Sequence, residues 1–125
     1  MKNAINWFEI PVTDFERAKK FYSILMGEQL IDHPMPDDSM KYGVFPYETG
    51  GAGIGGAIVQ GEGFVPSQEG STIYLNGGED LKIPLSRIEM AGGTVIMDKT
   101  SIGENGFMAM FMDTEGNKVA LHSMN

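Results

Sequence analysis

The chain contains no cysteine. That excludes disulfide scaffolds, thiolate zinc sites and cysteine nucleophiles together. Positive charge is also scarce: 9 Lys and Arg stand against 17 Asp and Glu, for a formal net charge of -8. So acidic a surface repels phosphate backbones, and no nucleic acid partner is expected. No apolar run approaches the ~20 residues of a membrane span, so no membrane partner is expected either. The opening Met1–Asn6 has no long apolar stretch after its lysine, unlike a secretory signal, and a soluble cytoplasmic protein is the expectation. No serine has a convincing His and Asp companion, which leaves a serine triad with little support. The glycines of 50–56 lack the Lys and Ser/Thr of a phosphate loop, and no helix follows them.

What is present suits one domain spanning 1–125, with 42% hydrophobic residues and enough of them to build a core. Glycine, at 17 residues, shifts the expectation towards sheet with many turns. Two segments read as helices. In the first, Asp14 to Met26, Phe15, Ala18, Phe21, Tyr22 and Leu25 share one face. Thr13 and Glu16 make a capping box at its start, and Gly27 is placed to stop it. The second runs from about Glu79 to Ala91, with Leu81, Leu85, Ile88 and Ala91 as its stripe and Pro84 near its start. Alternation and turn punctuation place strands near 4–12, 28–35, 40–48, 54–60, 71–77, 94–100, 106–113 and 117–123. Strand, helix and three strands thus occur twice. Matching Asp14 to Asp80 and Gly27 to Gly93 suggests a duplication with an offset of 66.

Strand parity separates a core face from a second face. Phe8, Ile10 and Val12 belong to the core in the first strand, as do Ile73 and Leu75 in the fifth and Val119 and Leu121 in the last. Opposite them lie Trp7, Glu9 and Pro11, then Thr72, Tyr74 and Asn76, then Lys118, Ala120 and His122. Large rings are costly to leave in water, so this mixed polar and aromatic face reads as a concave ligand site. A solvated face and a dimer contact are the alternatives. Met108, Met110 and Met112 alternate with Phe107, Ala109 and Phe111, so one set faces the cup and the other the helices. Methionines suit a pocket for an apolar or variable ligand, although ordinary core filling is the favoured reading of this set.

Trp7–Asp14, Arg17-Ala18, Phe21-Tyr22 and Gly27, followed by Ala91–Gly93, Gly106-Phe107 and Asp113–Asn117, form a pattern over nearly the whole chain. It resembles the vicinal oxygen chelate superfamily, the glyoxalase, bleomycin-resistance and extradiol-dioxygenase group. The resemblance implies an α+β fold of two βαβββ modules, about 1–65 and 66–125, whose curved mixed sheets form a cup with helices on the outer face. It also implies a homodimer and, in most members, a divalent metal in the cup. The family's ligand positions fall on Trp7, near Ala57, near Thr72 and on Ala120, none of which suits a hard or borderline cation. No cofactor is therefore expected. A divalent metal on Glu9 and His122, with His33 as a third ligand if the cup brings it near, is the alternative. Glu9 and His122 are the candidate catalytic pair, as base and assistant, and Trp7, Tyr74 and Asn76 the candidate ligand-binding groups. Three readings follow: a lyase or isomerase using Glu9 as base, a protein that sequesters a small apolar or cationic compound, or a dimeric module with its cup packed shut.

Overall fold

The computed structural model describes residues 3–125; Met1 and Lys2, at the start of the N-terminal stretch discussed above, lie outside the described residues. Eight strands and three helical segments follow in the order β1 (Trp7–Pro11), α1 (Phe15–Met26), β2 (Ile31–His33), β3 (Lys41–Val44), β4 (Gly55–Gln60), β5 (Tyr74–Asn76), α2 (Lys82–Leu85), β6 (Thr94–Ser101), a 3-10 turn (Gly103–Asn105), β7 (Phe107–Met112) and β8 (Lys118–Ser123). The two sheets have the orders β1-β4-β3-β2 and β5-β8-β7-β6. Their topologies match element for element, with β1 parallel to β4 and β5 parallel to β8, and antiparallel pairs elsewhere. This is the α+β arrangement of two βαβββ units, with mixed sheets forming a cup and helices outside.

The core lies between helices and sheets. Ile10, Val12, Phe15, Ala18, Phe21, Tyr22, Leu25, Ile58, Leu75, Leu81, Ile88, Phe111, Val119 and Leu121 are buried in one cluster. The parity read from the alternation thus holds in β1, β5 and β8. Helix α1 also packs beyond its own sheet: the Phe21 and Phe111 rings lie 5.8 Å apart, and the Tyr22 hydroxyl donates to Asp113 Oδ2 at 2.7 Å.

Asp113–Asn117 is the knot of the fold. Asp113 Oδ1 accepts the backbone N–H groups of Glu115 and Asn117, and Oδ2 accepts the Asn117 side chain besides Tyr22. The fully buried Glu115 carboxylate accepts from the Thr13 amide and hydroxyl, the Asp14 amide, the Thr114 hydroxyl and the Arg17 guanidinium, the last at 2.7 Å. Asn117 Nδ2 donates to the Pro11 carbonyl. The turn before β8 is thereby tied to the end of β1 and the start of α1.

Three expectations need correction. The N-cap of α1 is Asp14, whose carboxylate accepts the Arg17 amide; Thr13 is drawn away by Glu115, so the proposed Thr13–Glu16 box does not form. The second helix is only Lys82–Leu85, followed by irregular turns to Gly93. Pro84 lacks an N–H, and several later bonds run to i−3 acceptors, but Leu81 and Ile88 are buried as the stripe requires. Met108, Met110 and Met112 do not fill the core. They are half-buried on the face opposite Ala109 and Phe111, so they line the cup.

The β6–β7 turn carries a sharp prediction. Gly106 has φ of 102°, and a Cβ there would sit 2.4 Å from the Ser123 carbonyl oxygen, a backbone atom that cannot move aside. Gly106→Ala should cost about 2–4 kcal/mol, read as a lower urea midpoint with an unchanged slope. An unchanged midpoint would show that this turn relaxes freely.

Candidate functional site

The site begins with β1, whose parity sends Ile10 inward and Trp7 and Glu9 to the cup face. The next strand over is β4, where Trp7 faces Gly55 and Glu9 faces Ala57. These small residues keep the floor of the cup low. Tyr42, two strands from β1 on β3, reaches across that floor. Trp7 Nε1–H donates to the Tyr42 hydroxyl at 2.8 Å, and that hydroxyl donates to Glu9 Oε2 at 2.6 Å. Tyr47, from the loop after β3, packs on Gly55, where a Cβ would lie 2.5 Å from its ring. It meets Trp7 edge-on at 5.6 Å. His33 meets Tyr42 at 6.1 Å.

The Tyr42 hydroxyl has its pKa raised, first by burial and then by its bond to Glu9, while the bond from Trp7 works the other way. At neutral pH it therefore remains a donor to Glu9. An indole, a phenol and a carboxylate thus form one hydrogen-bonded chain with fixed polarity. Its indole and phenol border a cavity of about 550 Å³ lined by Trp7, Tyr42, Tyr47, Ile31, His33 and Glu28 among others.

The second sheet contributes the other expected residues. Tyr74 faces Ala120, and Asn76 faces His122. Tyr74, Asn76 and Thr72 line a cavity of about 620 Å³ with Phe8, Tyr47 and Gly55. The Asn76 side-chain oxygen is occupied by the Gly78 amide. His122 Nε2 lies 2.7 Å from the Asn105 carbonyl oxygen. A carbonyl only accepts, so this nitrogen carries a hydrogen and donates it. His122 and Asn76 share a shallow hollow by the chain end, whereas Glu9 lines a small cavity of about 180 Å³ with Lys118 and Asn117. The structure therefore joins Trp7 with Glu9, Tyr74 with Asn76, and Asn76 with His122. It gives Glu9 and His122 no common cavity.

Tyr42 is a site residue that strand parity alone does not single out. Its signal was the alternation of Tyr42 and Val44 opposite the buried Gly43 and Phe45, and the small Gly55 and Ala57 that leave it room. The cup-facing methionines are the second group that was misjudged. Met108 faces His122, Met110 faces Ala120, and Met97 faces Met110.

The donor set does not fit a metal ion. Among the described residues, no three His, Cys, Asp or Glu side chains come together. Of the positions carried over from the family pattern, Ala57 and Ala120 are fully buried methyl groups, and Trp7 offers only an indole.

Comparison with known proteins adds the following. The family model described as the Glyoxalase/Bleomycin resistance protein/Dioxygenase superfamily matches residues 4–121. A glyoxylase-like domain-containing protein of Didymella fabae is 32% identical, over 94% of this chain and 91% of that protein. The CFP32 protein of Mycobacterium bovis is 30% identical over 96% of this chain, but the chain spans only 45% of its length. The crystal structure of a glyoxalase/bleomycin resistance protein from Streptomyces sp. CB03234 superposes with a TM-score of 0.69 at 26% identity, covering 95% of this chain and 100% of that one.

Proposed function

Because the chain belongs to the Glyoxalase/Bleomycin resistance protein/Dioxygenase superfamily, we propose that it binds a small molecule in its cup without the family's usual metal. The wall made by Trp7, Tyr42 and Glu9 holds the ligand, with Ile31, Val44 and Tyr47 supplying apolar contact. One observation carries the choice of binding over catalysis. The acid-base pair suggested by the sequence, Glu9 and His122, shares no cavity, and each is engaged by a different partner, Tyr42 and the Asn105 carbonyl. The aromatic wall, in contrast, is assembled in advance, and such preorganisation lowers the cost of binding.

A second reading rests on the 2.6 Å Tyr42–Glu9 bond. A carboxylate with a bonded phenol can take and return a proton, which is the task of a lyase or isomerase base. The homodimer implied by the family resemblance and the cytoplasmic location expected from the sequence belong to the same proposal.

The readings separate in one experiment. Purified protein is screened by thermal shift against small aromatic and ammonium compounds, and each stabilising compound is incubated with the protein and recovered for mass spectrometry. Binding predicts recovery unchanged. Conversion that disappears in Glu9→Gln would replace it with the catalytic reading. Elemental analysis of the same sample should find no stoichiometric divalent metal, and finding one would overturn the metal-free assignment.

A further inference from the structure

We infer that the cavity of about 550 Å³ beside Trp7 selects an organic cation, an ammonium group carried on an apolar or aromatic body. This inference rests on the ligand-binding reading above and adds the ligand's charge.

The polar hydrogens of the wall are already spent. The Trp7 N–H is used by Tyr42, and the Tyr42 O–H is used by Glu9. Both of these donors point along the wall rather than into the cavity. The wall therefore offers the cavity aromatic rings whose polar hydrogens, on Trp7 and Tyr42, are already taken. Ring faces carry negative quadrupole charge, and a cation within about 6 Å of one is attracted to it. Trp7, Tyr42 and Tyr47 supply three such rings from three segments, and their mutual contacts hold them in place.

Charge points the same way. Glu28 lines the cavity and makes no ion pair among the described residues. Asp32 also lines it, but Lys19 neutralises it at 2.8 Å. Glu9 acts through the Tyr42 hydroxyl, placing its negative charge behind that ring. His33, Tyr47 and Thr49 complete this part of the lining. Around this cavity the uncompensated charge is negative, and the net charge of -8 draws cations towards the whole molecule.

The test is a matched pair of probes of nearly equal shape: (4-hydroxyphenyl)trimethylammonium and its neutral carbon counterpart 4-tert-butylphenol. Calorimetric titration of the intact protein should show the cation binding at least tenfold more tightly. Glu28→Gln should weaken the cation several-fold, leave the neutral probe unchanged, and make cation binding less sensitive to salt. Equal or tighter binding of the neutral probe would overturn the inference while leaving the aromatic site intact. Binding of neither probe would overturn both. Glu28 is exposed, so its substitution leaves folding undisturbed.

Discussion

Glu115→Gln should lower the stability of the protein by about 2–3 kcal/mol, or roughly 8–12 °C in Tm for a chain of this size. The side chain is fully buried and accepts from Thr13, Asp14, Thr114 and Arg17 together. The amide keeps one acceptor but turns an N–H₂ group towards some of those donors. Its other loss, the charge opposite Arg17, is moderated because the Arg17 side chain is 51% exposed and water takes up part of the guanidinium's charge. The effect carries a pH signature. Burial alone would raise the Glu115 carboxyl, but the bonds from Arg17, Asp14, Thr114 and Thr13 outweigh it, and its pKa falls from 4.5 to about 2. A depressed folded-state pKa gives stability that is complete above the unfolded value and disappears as pH falls through the folded one. The gap between wild type and Glu115→Gln should therefore be constant above about pH 5 and close between pH 4.5 and 2. Urea midpoints across that range measure it. A gap that persists undiminished at pH 2 would mean that the charge of Glu115 is irrelevant to the fold.

Trp7→Ala should weaken the binding of stabilising ligands by about thirtyfold or more while costing little in stability. Buried aromatic anchors at binding sites are worth about 2 kcal/mol or more on truncation, and 1.4 kcal/mol corresponds to tenfold in affinity. The indole also orients Tyr42 through its N–H, so its removal takes away a ring and loosens a second. The indole is 37% exposed and lies outside the core cluster, so folding depends on it weakly. A variant that binds as tightly as wild type would place the ligand elsewhere in the cup, and the Tyr74 cavity would be the next candidate.

Much of this was legible in the residues because sheets encode their faces with period two. Ile10, Leu75, Val119 and Leu121 could be assigned inward, and Trp7, Glu9, Tyr74 and Asn76 outward, without knowledge of strand order. The strand partnerships were harder. Tyr42 meets Trp7 and Glu9 only because β4 lies between β1 and β3 and carries Gly55 and Ala57 there, a fact about sheet order that alternation within one strand does not encode. The same holds for Thr13: a capping box reads well locally, but a carboxylate about 100 positions away competes for the same hydroxyl and amide. Local propensity yielded to a tertiary bond. His122 shows the other limit, since its face was right but its neighbour, the Asn105 carbonyl, comes from the turn before β7.

The central claim is that ligand sits against the Trp7–Tyr42–Glu9 wall. Trp7 is the only tryptophan in the chain, so its fluorescence reports on that wall alone. Each compound that raises Tm in the screen should quench or shift Trp7 emission along a saturable curve whose midpoint matches the calorimetric Kd. Stabilising compounds that bind at the same concentrations yet leave the emission unchanged would contradict it.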